Sequence, residues 1–319
     1  MKKISGRNVF VTGGAGFIGS NMCELLVQKG ANVIVYDNLS SGRYEFIKRH
    51  IGRKFSFIKA DLLDKKRLSA AVKGSGIDLI IHLAANPDVA LGTKQTDLDL
   101  FQGTVATYYV LEEARKNDIK EVILSSSSVI YGIPDTRPTP EHYGPLLPIS
   151  LYGASKLASE AFVTSFSHLY GMDYYLYRFA NVVGRNSTHG VVTDFLKKLR
   201  RDPTELEVLG NGRQRKSYID VQDCCNAMIK IYEKSMSRSN VYNIATSGQT
   251  SVDYIARRVI AKVAPKARIR HTGGVQGWPG DIPNTHLSNK RMLKAGIRLK
   301  YPESNGAVDH YINSDEVEL

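Results

Sequence analysis

The segment from Val9 to Asp37 constrains this chain more than any other part of it. A β-branched run at residues 8–12 leads without a spacer into Thr12-Gly13-Gly14-Ala15-Gly16-Phe17-Ile18-Gly19, and residues 17–29 carry the apolar periodicity of a helix. Strand, glycine turn and helix in direct succession are the context of a phosphate-binding turn. Gly13 takes backbone angles closed to other residues, Gly16 lets the chain approach a pyrophosphate, and Gly19 permits close packing of helix on strand. The helix N-terminus then offers free N–H groups and the positive end of a dipole to the phosphates. A glycine turn without a ligand is the bland alternative, and the context weighs against it.

Asp37 ends the next strand, at 32–36, where a carboxylate accepts hydrogen bonds from an adenosine ribose and repels a 2′-phosphate. NAD is therefore favoured over NADP, although Arg43 lies near enough in sequence to offset some of that repulsion. Asp61 closes the strand at 55–59 and suits either an adenine amine or a helix N-cap.

Further short apolar runs at 79–82, 122–125 and 174–178 alternate with helical patterns at 65–73, 98–115 and 152–170. That alternation predicts an α/β fold, a doubly wound parallel Rossmann sheet. After Asn181 the pattern breaks into shorter pieces with glycine-rich joints at 210–212, 273–274 and 277–280. The expected division is a dinucleotide-binding domain over 1–180 and a smaller C-terminal substrate-binding region over 181–319. A helix at 221–234 and a strand at 241–244 look regular enough to return to the first sheet, so that 219–246 belongs with it. The acidic stretch 314–319 reads as a loose tail.

The formal charge of +12 admits nucleic acid, an anionic small ligand or a merely basic surface. Basic residues are scattered rather than gathered in one run with interleaved aromatics, so no nucleic-acid partner is expected. No window approaches the roughly 18 apolar residues of a spanning helix, and no apolar leader precedes the glycine loop. No membrane association and a cytoplasmic location are the expectation. The three cysteines, Cys23, Cys224 and Cys225, offer no disulfide framework, and the eight histidines show no metal-ligand spacing.

Tyr152-Gly153-Ala154-Ser155-Lys156 puts a phenol and an ammonium at i and i+4 on one helix face. The spacing alone proves little, since Tyr44 and Lys48 share it in what reads as an ordinary surface helix. Position distinguishes Tyr152, which follows the serine run 125–128 at the carboxyl edge of a parallel strand, where ligands bind. A phenol with a reference pKa of about 10 is a poor base, but a neighbouring ammonium and a positively charged nicotinamide favour its phenolate. Ser127 would hydrogen-bond the substrate hydroxyl or ketone and orient the proton transfer.

These residues together resemble the extended short-chain dehydrogenase/reductase family, and within it the UDP-glucose 4-epimerase-like enzymes, the NAD-dependent epimerases and dehydratases. The likeness covers nearly the whole chain and rests on TGGAGFIGS (12–20), YDNLSSG (36–42), HLAA (82–85), SSSSVIYG (125–132), YGASK (152–156) and RFANVVG (178–184). It implies Tyr152 as catalytic base, Lys156 as its partner and Ser127 as the third member. It implies an NAD cradle of Gly13, Gly16, Phe17, Ile18, Gly19, Asp37, Asn38, Ser41, Gly42, Asp61, Leu62, Leu83, Ala84 and Ala85, completed by Tyr152 and Lys156. For a UDP-sugar it implies Asn181 on the diphosphate, Arg213, Arg215 and Lys216 as cationic contacts, and Asp281 and Thr285 nearby, with Ser127 and Tyr152 at the sugar.

The chemistry so implied is oxidation of the C4 hydroxyl to a 4-ketose, rotation of the sugar, and return of hydride to its other face. Related dehydratases and decarboxylases carry an acidic residue just after the catalytic hydroxyl, in patterns such as TDEVYG. Ser128 and Val129 stand there in this chain, which favours epimerisation over another nucleotide-sugar reaction (dehydratase, uronate epimerase or reductase), and over a non-enzymatic dinucleotide-binding regulator. Thr285 is small where bulk limits the C2 substituent in relatives, which extends the expected substrates to the N-acetylhexosamine pair. The chain departs from the family pattern at Leu100 and Pro87, where an asparagine and a lysine are common, and at Lys216 and Trp278, where arginines are common. A homodimer through helices 98–115 and 152–170 is the implied assembly.

Overall fold

A computed structural model describes residues 2–317. Its centre is a seven-stranded sheet in the order β11-β6-β5-β4-β1-β2-β3, parallel throughout. The strands are β1 (Asn8–Thr12), β2 (Asn32–Asp37), β3 (Phe55–Lys59), β4 (Leu79–His82), β5 (Glu121–Ser127), β6 (Asp173–Phe179) and β11 (Ser239–Ile244). A parallel sheet is covered on both faces, which is why its central strands read as continuous apolar runs. Side chains alternate across it: Val9 and Val11 enter one core cluster and Phe10 the other. Helix α1 (Phe17–Gln28) and helix α6 (Val221–Lys234) supply the first cluster. The second takes α2 (Lys65–Val72), α3 (Ala106–Lys116) and α4 (Leu151–Tyr170).

The order reverses between β1 and β4, and the loops leaving their carboxyl ends diverge there into a crevice. The remaining elements build a smaller region beside that crevice. They are β7 (Asn181–Val183), α5 (Val191–Arg201), β8 (Glu205–Val208), β9 (Arg215–Lys216), β10 (Tyr218–Asp220), β12 (Thr250–Ser251), α7 (Val252–Val263), β13 (Arg268–His271), β14 (Asn284–Thr285), α8 (Lys290–Lys294) and α9 (Ser304–Ile312). Helix α5 buries Val192, Phe195, Leu196 and Leu199 in a third core with Ile255 and Val259 of α7.

Three expectations need correction. The helix expected over 98–115 does start at Leu98, but it carries an unforeseen turn of π-helix at Leu100–Val105 before its regular α-helical run from Ala106 to Lys116. Tyr44 and Lys48 lie on two short 3₁₀ turns, Tyr44–Phe46 and Lys48–His50, not on a helix. The acidic end is docked as far as it is described: Val317 is fully buried in the third core, and Glu316 accepts the backbone N–H of Asn186. Residues 318–319 lie outside the described residues. The three cysteines are free and buried. Among the described residues no helix is long and apolar enough to cross a membrane.

Candidate active site

Gly13 leaves β1 at φ +69, a left-handed conformation that disfavours any side chain, and a Cβ there would strike the backbone of Ala84 after β4. The glycine loop and the Leu83–Ala85 segment thus meet backbone to backbone across the switch point. Helix α1 starts at Gly16 without a side-chain cap, so its first N–H groups face the crevice uncommitted, as an anion site requires. Phe17, Ile18, Asn38, Ser41, Leu62 and Ala84 line the same crevice.

Asp37 is buried at the end of β2, and burial raises its pKa against two opposing backbone hydrogen bonds. Those bonds come from Ala15 N–H at 3.0 Å and Leu39 N–H at 2.8 Å, so the carboxylate also fixes the glycine loop. Its remaining lone pairs suit a ribose. Arg43 is exposed, with its guanidinium 5.7 Å from the Phe46 ring centre, and is not part of the crevice wall. Asp61 and Gly42 support the wall from behind. Asp61 accepts from Asn38 Nδ2 at 2.7 Å and from Leu63 N–H at 2.8 Å, while Asp64 takes the N-cap of α2. Gly42 packs its Cα against Ala15.

The far wall carries the chemical groups. Ser127 ends β5, and its Oγ accepts the Val129 N–H at 3.4 Å, which leaves its proton free to donate. Ser150 caps α4 through Gly153 N–H and sets Tyr152 in the first turn, against the crevice. One turn on, Lys156 is buried, donates to the Ser125 carbonyl at 2.8 Å and places its Nζ 5.7 Å from the Tyr152 ring centre. Burial pushes the Lys156 ammonium down to about 8, with Asp99 and Glu160 acting the other way. Burial, and then the negative Asp99, hold the Tyr152 phenol above its ordinary value. Phenolate formation at neutral pH therefore needs additional positive charge in the crevice.

Two buried networks hold this wall still. His82 joins β4 to β1 and α3, with Nδ1 2.6 Å from Thr12 Oγ1 and Nε2 3.0 Å from Thr107 Oγ1. Thr107 donates to the Gly103 carbonyl at 2.7 Å, which leaves its oxygen to accept from Nε2–H, and burial with the Lys156 charge pushes the ring down to about 3, which keeps it neutral. Arg178 on β6 clamps Glu160 of α4 with two bonds, at 3.0 and 2.7 Å, and donates to Tyr131 Oη and the Glu141 carbonyl.

The structure brings together Ser127, Tyr152, Lys156, Asn181 and the glycine loop on one crevice. It does not bring the expected cationic contacts there. Arg213 and Arg215 are exposed, and Lys216 is engaged elsewhere, bonded to the buried Asp281 at 2.5 Å with its Nζ 5.1 Å from the Trp278 ring centre. Asp281 also accepts Gly277 N–H, and Thr285 sits beside Lys216 in register on β14. These residues form a second patch, apart from the crevice lining. Leu100 is about half exposed and lies outside the crevice lining, whereas Pro87 and Gln102 are part of it. Sequence reasoning missed Phe179 and His189. Phe179 ends a parallel strand just before Asn181, a signal strand-end position supplies. His189 reaches the Phe17 ring edge-on at 6.2 Å across the glycine loop, and nothing local announced it.

Comparison with known proteins agrees with this geometry. The model of the NAD dependent epimerase/dehydratase family matches residues 9–245. The UDP-glucose 4-epimerase of Mycolicibacterium smegmatis is 31% identical over 288 residues, 88% of this chain and 90% of that protein. A crystal structure of a UDP-galactose 4-epimerase superposes with a TM-score of 0.84 at 36% identity, covering 96% of this chain and 97% of the other. The UDP-glucose 4-epimerase of Thermus thermophilus, solved with NAD, gives 0.84 at 28% identity, over 96% and 99% of the two chains. The chain belongs to the NAD-dependent epimerase/dehydratase family, and its cofactor is NAD. The uncapped start of α1, the Gly13 contact and Asp37 fit that cofactor: the α1 N–H groups would hold the pyrophosphate and Asp37 the adenosine ribose.

Proposed function

We propose that this protein epimerises a UDP-hexose at C4, interconverting UDP-glucose and UDP-galactose and also the N-acetylhexosamine pair, through a 4-keto intermediate. The observation that carries the reading is that Ser127, Tyr152 and Lys156 occupy the wall of the crevice whose floor is the glycine loop. Bound NAD supplies reversible hydride acceptance and, when oxidised, the positive charge that the Tyr152 phenol needs. Tyr152 takes the C4 hydroxyl proton and later returns it. Lys156, anchored on the Ser125 carbonyl, favours the phenolate electrostatically, and Ser127 donates its free proton to the sugar oxygen. Asn181, at the crevice, holds the diphosphate. Lys216 spends one of its three N–H donors on Asp281 and keeps the others for a phosphate. Ser128 and Val129 offer no carboxylate for elimination, and the N-acetyl part of the reading requires the small Thr285 of the second patch to come against the C2 substituent when the substrate bridges patch and crevice.

Incubation with a panel of UDP-hexoses and their N-acetyl counterparts, read by NMR, is expected to give isomers of unchanged mass with no net NADH. A product lighter by one water would replace this reading with a dehydratase.

The same reading includes a homodimer in the cytoplasm. Tyr108 on α3 and Phe162, Leu169 and Tyr170 on α4 are large apolar side chains left exposed on adjacent helices. A contiguous apolar face of this kind marks an interface. Light scattering is expected to give twice the chain mass, and a monomer at micromolar concentration would refute the assembly.

A further inference from the structure

The π-helical turn at Leu100–Val105 lies directly before α3, and such turns gather at functional sites. Leu100 and Phe101 face solvent, whereas Asp99, at the start of the turn, is buried. Its Oδ1 accepts a hydrogen bond from Asn86 Nδ2 at 3.1 Å. Its Oδ2 has no hydrogen-bond partner among the described residues. Glycine at position 92 leaves that oxygen the space it fills. A buried carboxylate oxygen without a donor demands a reason.

Lys156 supplies one. Its ammonium is buried, and its hydrogen-bond partner is a neutral carbonyl, that of Ser125. The π-helical turn that follows Asp99 packs directly on the turn of α4 that bears Lys156, Gly103 lying against Ser155 and Thr104 Oγ1 standing 3.5 Å from the Ser155 carbonyl, and from there Asp99, with Glu160 second, favours the charged ammonium. Glu160 is already neutralised by the two-pronged Arg178. We propose that Asp99 is a positioning residue for the Tyr152–Lys156 pair, its unpaired Oδ2 supplying the counter-charge that the buried Lys156 ammonium otherwise lacks. The consequence for catalysis rests on the reading of Tyr152 as base; the electrostatic coupling itself does not.

The charged and titratable groups around Asp99 are Lys156 on α4, the helix against which the π-helical turn packs, and Asp88 in the loop after β4. Tyr152 feels the Asp99 charge in turn. Around Lys156 stand Asp99, Glu160 of α4 and His82 of β4. An ionised Asp99 makes Lys156 keep its proton to higher pH and makes the Tyr152 phenol keep its own. Removing that charge lowers both.

Asp99→Asn preserves shape and the contact to Asn86 while removing an unpaired buried charge, so it is expected to fold, with thermal melting as the check. The Lys156 titration is read by NMR on isotope-labelled, reductively dimethylated protein, its signal assigned by loss in Lys156→Met. In Asp99→Asn the Lys156 midpoint is expected to fall by about one pH unit, and both limbs of the pH–rate profile to move toward acid by a similar amount. Asp99→Ser should give the same displacement. A Lys156 midpoint unchanged in either folded variant overturns the inference, since a merely structural Asp99 would alter stability without moving it. A displaced midpoint in a protein that turns over no UDP-sugar upholds the coupling and defeats the proposed reaction instead.

Discussion

Replacement of Tyr152 by phenylalanine is expected to lower turnover about a thousand-fold while leaving bound NAD in place. The ring stays in the α4 turn, so the wall keeps its shape, and only the oxygen that exchanges a proton with the substrate is lost. The groups that would hold the adenosine half of the cofactor, Gly13, the α1 N-terminus and Asp37, line the same crevice and are untouched by the substitution. Steady-state turnover of the UDP-sugar, with cofactor released by denaturation and quantified, checks both halves of the expectation. Full activity in the variant would remove Tyr152 as the base.

Much of this crevice was legible because its parts are local. Val9-Phe10-Val11 runs apolar on both faces, and the glycines follow within the same ten residues, so one short window specifies strand, turn and helix start. Tyr152 and Lys156 share one helix turn. What escaped the sequence was set by contacts between distant segments or by helical phase. Lys216 and Asp281 pair across 65 positions, and nothing near either residue signals the other. A π-helical turn and an α-helix share apolar spacing over six residues, so Asp99 gave no sign that it faced inward while Leu100 faced out. Val317 is one apolar residue in an acidic run, and only the third core shows that it has somewhere to go. Helix α5 repeats apolar residues at 192, 195, 196 and 199, a helical period hidden by the break-up of the pattern after Asn181.

Arg178→Met is expected to cost about 3–5 kcal/mol of stability, because it strands Glu160 as an uncompensated charge in the interior. For a chain of this size that corresponds to a fall in melting temperature of about 5–8 °C. The same guanidinium also holds Tyr131 Oη at 2.9 Å and the Glu141 carbonyl at 2.8 Å, and Tyr131 passes the connection to Asn243 on β11. Loss of Arg178 therefore loosens the catalytic helix and the edge of the sheet together. The double variant Arg178→Met with Glu160→Leu is expected to recover most of the loss, since no charge is then left buried. Equal melting temperatures for the single variant and the wild type would show that the pair contributes nothing.

Strand β11 is drawn from residues 239–244, yet it completes the cofactor-binding sheet beside β6. On the ribosome, the first 180 residues emerge with an unfinished edge: the backbone of β6 has no outer neighbour, and Tyr175, Tyr177 and Phe179 lack the cover that α6 provides. Such an edge is a template for pairing with other chains. The nascent protein must therefore shelter that edge until about sixty more residues have been made, roughly several seconds at ordinary translation rates. The threading that locks the two regions into one body also makes this enzyme dependent on its own completion, and a truncated message would yield an aggregating product rather than a smaller dinucleotide binder.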